Sequence, residues 1–316
     1  MRIVVLSGGD SSEREVSLRS GAHVSHALRS LGHAVIDLDP GETDVLRYDW
    51  TGVDVCFIAL HGKYGEDGEV QAELEALGVP YTGSGPQASK LAFSKSAAKE
   101  RFGLHHVPTP TYALIHEADT AQRIRQLADG LGYPLVVKPD AQGSSIGVTI
   151  VRTPEELPQA LTNCFHFDAF GLLESFIAGS EWTVGFVDSQ ALPVIRIGTA
   201  RTFFDYNAKY NDDETQYEFD FDVPSDVVTR IEQVARNACT ALGTRGLARV
   251  DVMLDKYARP WVLEVNTVPG MTDHSLVPKA AARMGLTFAQ LCEQLVCSCQ
   301  HGQEVKTTGE PRITRS

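Results

Sequence analysis

The chain has 316 residues, 43% hydrophobic and 22% charged, a globular balance over a length that suits two or three domains better than one core. Its 28 basic and 41 acidic residues leave a net charge of −13, which argues against a nucleic acid or a membrane surface as partner of the whole chain while leaving room for a local basic pocket. No apolar run reaches the length of a membrane span and no signal segment opens the chain, so a cytoplasmic protein is expected.

Residues 2–6 read as a short apolar strand and 7–12 as a loop rich in Ser, Gly and Asp. From Glu13 a helix follows, with Val16, Val24, Ala27, Leu28 and Leu31 on one face and Gly32 as its stop. Strands at 34–38 and 55–60 complete a small parallel α/β unit reaching to residue 93. Ligand loops in such sheets lie beyond the carboxyl ends of the strands, the place held by residues 7–10 and 61–68. From residue 94 the texture changes. A helix (94–102), a Pro-rich stretch (106–110), a buried strand (134–139) and a small-residue turn (142–148) lead to a strand at 148–151. A helix at 154–163, with Thr153 as cap and Pro154 in its first position, and a strand at 172–174 complete an α+β unit ending at 180. Strands at 182–187 and 192–197 open the third segment, 181–301. Its polar stretch 202–222 has no clean periodicity, as expected of a functional or disordered loop. A helix (225–242), strands (247–254 and 261–265) and a last helix (287–296) follow, and the polar tail 302–316 is expected to fray.

The chemistry-bearing residues fall into a few patterns. Arg249-Val-Asp251 lies on one strand and Glu264-Val-Asn266 on the next, and residues two apart on a strand share a face. If the strands pair, three oxygen donors meet beside an arginine. Magnesium takes oxygen ligands completed by water and phosphates, so Asp251, Glu264 and Asn266 form either a nucleotide–metal site or a solvated strand face. The apolar Val250, Val252, Leu254, Val262, Leu263 and Val265 around them give such a solvated face no polar balance. Gly143-Ser-Ser-Ile-Gly147 follows the strand that carries Lys138. Small residues let backbone N–H groups approach a phosphate, although an ordinary hairpin would read the same way. The segment is neither a P-loop nor a dinucleotide fingerprint. Lys95 and Lys138 stand near element ends, as surface lysines or as phosphate ligands; Lys138, held by a buried strand, is the better candidate. Glu174 and Glu181 are either exposed strand-end glutamates or acceptors for ribose and adenine. Glu13, at a helix N-terminus, answers the helix dipole or a substrate ammonium, and His61 is a turn histidine or a site residue. The six cysteines are scattered and need no disulfides, and Cys297, Cys299 and His301 lack the second ligand pair of a zinc site.

Taken in order over residues 1–296, these segments resemble the D-alanine–D-alanine ligases of the ATP-grasp superfamily. The carrying residues are Ser7-Gly-Gly with Glu13-Arg-Glu-Val-Ser17, Ala59-Leu-His-Gly62 with Gly65-Glu-Asp-Gly68, and Pro80-Tyr-Thr-Gly-Ser-Gly85. Lys138-Pro139, Gly143-Ser-Ser145, Phe204-Asp-Tyr-Asn-Ala-Lys-Tyr210 and Arg249-Val-Asp251 continue the series. Glu264-Val-Asn-Thr-Val-Pro-Gly-Met-Thr272 and His274-Ser-Leu276 close it. The resemblance implies an N-terminal parallel α/β domain followed by an ATP-grasp fold of two α+β subdomains. It also implies ligation of two D-alanines through a D-alanyl phosphate, for peptidoglycan precursor synthesis, in a cytoplasmic homodimer.

By the same resemblance, Lys95, Lys138, Ser144 and Ser145 would hold the ATP phosphates, and Glu174 and Glu181 the adenine and ribose. Asp251, Glu264 and Asn266 would hold two magnesium or manganese ions. Glu13 would orient the first D-alanine, with Ser144 and Tyr210 in its hydrogen-bond network and His61 nearby. Ser275 and Leu276 would position the second D-alanine. Arg249 and the Gly270 N–H would stabilise the oxyanion. Lys209 and Tyr210 would ride on a mobile loop, 202–222. Relatives carry a lysine and a larger aromatic after the glutamate at 174, where Ser175 and Phe176 stand here, and the stretch 218–222 is more acidic than theirs. Tyr210 argues against a D-alanine–D-lactate ligase, which replaces it. Another ATP-grasp carboxylate–amine ligase would be less expected to keep both Glu13 and His274-Ser-Leu276, and a non-catalytic nucleotide-binding regulator would be expected to lose Arg249 or a metal ligand.

Overall fold

The computed structural model describes residues 1–198, 216–272 and 274–307, with side chains as far as residue 299. Strands β1 (Arg2–Leu6), β2 (Ala34–Leu38) and β3 (Val55–Ile58) form a parallel sheet in the order β2-β1-β3. Helix α1 (Arg14–Ser30) links the first two strands and buries Val24, Ala27 and Leu28 against the sheet. Helices α2 (Glu69–Ala76), α3 (Pro86–Phe93) and α4 (Lys95–Leu104) follow. The Ser94 hydroxyl caps α4 by accepting from the Ala97 N–H, and Asp140 fixes the same end through the Ser94 hydroxyl and the Ser96 N–H, each at 2.7 Å.

The second sheet is antiparallel, in the order β4-β7-β5-β6. It contains β4 (Tyr112–His116), β5 (Leu135–Pro139), β6 (Thr149–Val151) and β7 (Phe170–Ser175). Helices α5 (Ala121–Leu131) and α6 (Leu157–Phe165) cover it, burying Ile124, Ala128, Leu157 and Ala160 on Leu135, Val137 and Leu173. The third and largest sheet runs β11-β10-β8-β12-β13, with β9 beside β8. Its strands are β8 (Gly179–Val187), β9 (Gln190–Ala191), β10 (Ile195–Gly198), β11 (Gln216–Glu218), β12 (Leu247–Asp255) and β13 (Pro260–Asn266). Helix α7 (Ser225–Leu242) packs Ile231, Ala235 and Ala238 on one face of this sheet. Helices α8 (Leu276–Arg283) and α9 (Phe288–Thr307) join the other face to the N-terminal unit: Val277, Leu291 and Leu295 share one core with Val24, Leu28 and Ile195.

Several elements depart from the reading of the sequence. Helix α4, grouped there with the central unit, packs Ala98 and Phe102 into the core of the large sheet. Thr153 makes no side-chain cap, because a 3-10 turn, Pro154–Glu156, precedes α6. The last helix runs to Thr307; a lone Gly302 costs about 1 kcal/mol, too little to end a helix already docked on a core. Part of the polar stretch 202–222 is ordered structure. β11 pairs with β10, and Phe221 stacks edge-on against Trp182 at 4.7 Å. Strands β4, β9 and β11 and helices α2, α3, α5 and α8 had no counterpart in that reading.

Candidate active site

A cavity of about 320 Å³ opens between the second and third sheets. Lys138, Glu174, Phe176 and Ile177 face it from one side, and Glu181, Asp251 and Glu264 from the other, with Lys95 and Ser145 at its floor. The sheets position these groups directly. Glu174 lies on β7 in register with Val136 on the neighbouring β5, which also carries Lys138. Glu181 and Asp251 lie on the paired strands β8 and β12.

The sequence left Glu174 open between an exposed glutamate and a nucleotide acceptor, and the structure buries it at 2% exposure. Its Oε2 receives the Lys138 ammonium at 2.9 Å and the Lys99 ammonium at 2.7 Å. Burial pushes this carboxyl up, but the two cations and their hydrogen bonds outweigh it and hold it below the usual glutamate range. Lys95 donates to the Gln142 carbonyl at 2.6 Å and lies 3.6 Å from Glu264.

On the opposite wall β12 and β13 pair antiparallel, setting Arg249 opposite Asn266 and Asp251 opposite Glu264. The register shifts between Asp251 and Val252, a local irregularity of the kind found beside active sites. Arg249 grips both oxygens of Asp251, Nε and Nη2 each at 2.9 Å, which fixes the plane of the guanidinium. The Thr183 hydroxyl donates to Asp251 at 2.7 Å and the Asn266 amide at 3.3 Å. Among the described residues no group of three or more His, Cys, Asp or Glu could hold a metal, and a divalent ion at Asp251 and Glu264 would take the Asn266 side-chain oxygen as a third donor. This all-oxygen set fits magnesium or manganese and suits zinc poorly.

Glu13 occupies the N-cap of α1 but makes no cap hydrogen bond. Its carboxylate, 7% exposed, turns away from the helix and accepts from the Ser144 hydroxyl. The loop carrying Ser144 bends through left-handed backbone at Ser144 (φ 53°) and Ser145 (φ 58°), a conformation costing side-chain-bearing residues about 1–2 kcal/mol each. A Cβ at Gly143 would lie 2.7 Å from Glu13 Oε2, so a side chain there would push that carboxylate aside. Next to Glu13 the His61 ring lies between the Ser20 hydroxyl, 3.1 Å from Nε2, and Glu66, 3.5 Å from Nδ1. Burial raises the Glu66 carboxyl, and Glu13 raises it further against the pull of His61. Ser20 also accepts the Met271 N–H at 3.3 Å, tying this cluster to the loop that carries Gly270. The Ser275 hydroxyl accepts from the Thr272 N–H at 3.1 Å, at the start of α8. Leu276 buries its side chain in the core shared with α9.

The residues expected from the sequence thus gather into two adjoining groups. Lys95, Lys138, Ser145, Glu174, Glu181, Asp251 and Glu264 line the cavity, while Glu13, Ser144 and His61 lie beside it. A narrow gap lined by Glu66, Lys95, Gly143 and Asn266 joins the two. Lys209 and Tyr210 lie outside the described residues. Lys99, Glu66, Ser20 and Thr183 were missed. Lys99 follows Ala98 and precedes Phe102 by three residues, both buried, but in the sequence it is an ordinary helical lysine.

Family comparisons agree with one another. The D-ala D-ala ligase C-terminus family matches residues 100–297, and the D-ala D-ala ligase N-terminus family matches residues 40–84. The chain is 43% identical to a D-alanine–D-alanine ligase of Bordetella avium over 314 residues, covering 98% of each chain. A D-alanine–D-alanine ligase from Bacillus anthracis, solved with ATP, superposes at a TM-score of 0.85 with 32% identity, over 97% of this chain and 99% of that one. A D-Ala:D-Ser ligase from Enterococcus faecalis superposes at 0.82 with 27% identity, over 94% and 98% of the two chains.

Proposed function

Because this chain belongs to the D-alanine–D-alanine ligase family, an ATP-grasp family that joins two D-alanines at the expense of ATP for peptidoglycan synthesis, we propose that the cavity between the second and third sheets is where ATP and the first D-alanine meet. The observation that carries this reading is the cavity's lining: two lysines, three glutamates and an aspartate converge there from separate strands and the start of α4.

In this account the ATP phosphates lie against Lys95, Lys138 and the backbone of the 143–147 loop, and the base reaches the apolar Phe176 and Ile177. Glu181 accepts from the ribose, and Glu174 acts beside the adenine chiefly by fixing Lys138. Asp251, Glu264 and Asn266 hold the magnesium or manganese ions, which when bound neutralise the phosphate charge. The Glu13 carboxylate receives the ammonium of the first D-alanine, and Ser144 keeps that carboxylate in place. The D-alanine carboxylate then attacks the γ-phosphorus. A new C–O–P bond forms, ADP leaves, and a poor electrophile becomes an acyl phosphate. The second D-alanine, its carboxylate held by the Ser275 hydroxyl and the Leu276 N–H, attacks the acyl carbon through its free amine. Charge builds on the carbonyl oxygen, where Arg249 and the Gly270 N–H receive it, and phosphate departs. Lys209 and Tyr210 would close over the phosphates and keep out water, which would otherwise hydrolyse the intermediate.

The family resemblance carries two further expectations, a homodimer and a cytoplasmic location. Among the described residues no helix is long and apolar enough to cross a membrane.

The test is a substrate panel. With magnesium and ATP, ADP release is expected only when D-alanine is present, matched by a dipeptide identified by mass. L-alanine should give none, and D-lactate or D-serine beside D-alanine should give no mixed product at comparable rate. Release of ADP without amino-acid dependence would reduce the protein to an ATPase and refute the reading.

A further inference from the structure

We infer that Lys99 is a positioning residue for the nucleotide: it supplies the second positive charge that leaves Lys138 able to attract the ATP phosphates. The inference rests on the reading of the cavity as the ATP site.

Lys138 stands at the wall of the cavity, 2.9 Å from Glu174. A lysine paired one-to-one with a buried carboxylate is neutralised and offers a phosphate little net attraction. The same Glu174 oxygen is held at 2.7 Å by a second ammonium, that of Lys99, whose side chain is wholly buried behind the cavity wall. Two ammoniums against one carboxylate leave one positive charge, and of the two ammoniums Lys138 is the one that lines the cavity, beside Glu174.

Lys99 cannot bind the nucleotide itself. Its ammonium is engaged by Glu174 and by the Thr109 hydroxyl at 2.6 Å, with the Pro110 carbonyl 3.5 Å away, and it does not reach the cavity. Thr109 in turn donates to the Val262 carbonyl at 2.8 Å, so β13 of the opposite wall fixes the lysine's position. A buried lysine costs stability unless its charge is compensated, and here Glu174 and the Thr109 hydroxyl compensate it.

The groups facing the Lys99 ammonium are Glu174 on β7, Lys138 on β5, Lys95 on its own helix and the Tyr112 ring on β4, 5.6 Å away. Burial lowers the ammonium to about 8, with Glu174 opposing the shift and Lys138 adding to it. Below pH 8 the trio carries its positive charge. As pH rises through 8 Lys99 loses its proton, Glu174 falls to Lys138 alone, and affinity for ATP declines.

The experiment measures KM for ATP and kcat at saturating D-alanine and magnesium, from pH 6.5 to 9, in the wild type, Lys138→Met and Lys99→Met. Both variants are expected to raise KM for ATP by roughly tenfold or more, with a smaller loss of kcat. The wild-type rise in KM above pH 8 should vanish in Lys99→Met. If Lys138→Met raises KM and Lys99→Met leaves it within about twofold, Lys99 has no such role and the site reading stands. If neither variant moves KM, the assignment of the ATP site itself fails. Should Lys99→Met not fold, Thr109→Val, which removes one partner of the ammonium, is expected to raise KM about threefold, and an unchanged KM there would overturn the inference.

Discussion

On the β5–β7 wall of the cavity two ammoniums, Lys99 and Lys138, close on one carboxylate, whereas on the β12–β13 wall one guanidinium, Arg249, stands with two carboxylates, Asp251 and Glu264. The first wall carries net positive charge and the second net negative charge, with Lys95 bridging them at 3.6 Å from Glu264. A nucleotide bound with a divalent cation would present complementary halves, phosphate oxygens to the positive wall and metal to the negative one. A chain with a net charge of −13 can thus offer a polyanion a positive surface: the positive field is local and is set by how buried charges are shared.

The comparison can be broken most severely at Arg249. Arg249→Ala should cost at least about 3 kcal/mol of transition-state stabilisation, read as a fall of 10² or more in kcat, and should also lower the melting temperature because Asp251 loses its bidentate partner. Near-normal turnover would remove the arginine from the mechanism. Next in size, Lys138→Met acts on the opposite wall and should raise KM for ATP about tenfold or more while leaving the magnesium dependence of the rate where it was. Its mirror image is Glu264→Gln, expected to shift half-saturation by magnesium upward about tenfold with a smaller change in KM for ATP. If these two variants produced the same kinetic signature, the division between the walls would be wrong. Thr183→Val removes the 2.7 Å hydrogen bond that steadies Asp251 and should cost about 1 kcal/mol in urea unfolding, with little change in kcat.

The smallest expected effect is on stability against pH. Glu174 is held below its ordinary value of 4.5, so the stability it contributes is present above that pH and is lost as pH falls through its folded value. The acid limb of a melting-temperature profile should therefore be shallower in Glu174→Gln, and equal slopes would mean the ion-paired trio does not stabilise the fold.

These two walls were also unequally legible in the sequence. The β12–β13 wall could be read because its polar residues interrupt an otherwise apolar pattern at period two, and pairing of the strands brings Arg249, Asp251, Glu264 and Asn266 together. The β5–β7 wall was only half visible. Lys138 stood out behind Leu135-Val-Val137, but Glu174 resembled a strand-end glutamate and Lys99 one more helical lysine, because their burial depends on α4 docking against two sheets at once. The same limit hid Glu66 and Ser20, whose roles arise from side-chain contacts between the 61–68 loop, α1 and the Met271 N–H. Fold class was legible from alternating strands and helices in the first 93 residues and from ordered motifs beyond them. Helix α5 carries a face that its spacing makes legible, with Ile124, Leu127, Ala128 and Leu131 at i, i+3, i+4 and i+7 packed on the second sheet, and it was missed. Glu13 shows the reverse case, in which a bland local explanation existed. The side chain ignores the helix end it occupies and reaches Ser144 instead, 131 residues away.

In the proposed mechanism the first D-alanine is activated as an acyl phosphate before the second attacks. Supplying D-alanine with ¹⁸O in its carboxylate, together with magnesium and unlabelled ATP, and analysing the released phosphate by mass tests it directly. One labelled oxygen in each phosphate is the predicted result, since the carboxylate oxygen that bonds to phosphorus leaves with it. Unlabelled phosphate accompanying dipeptide formation would contradict the mechanism.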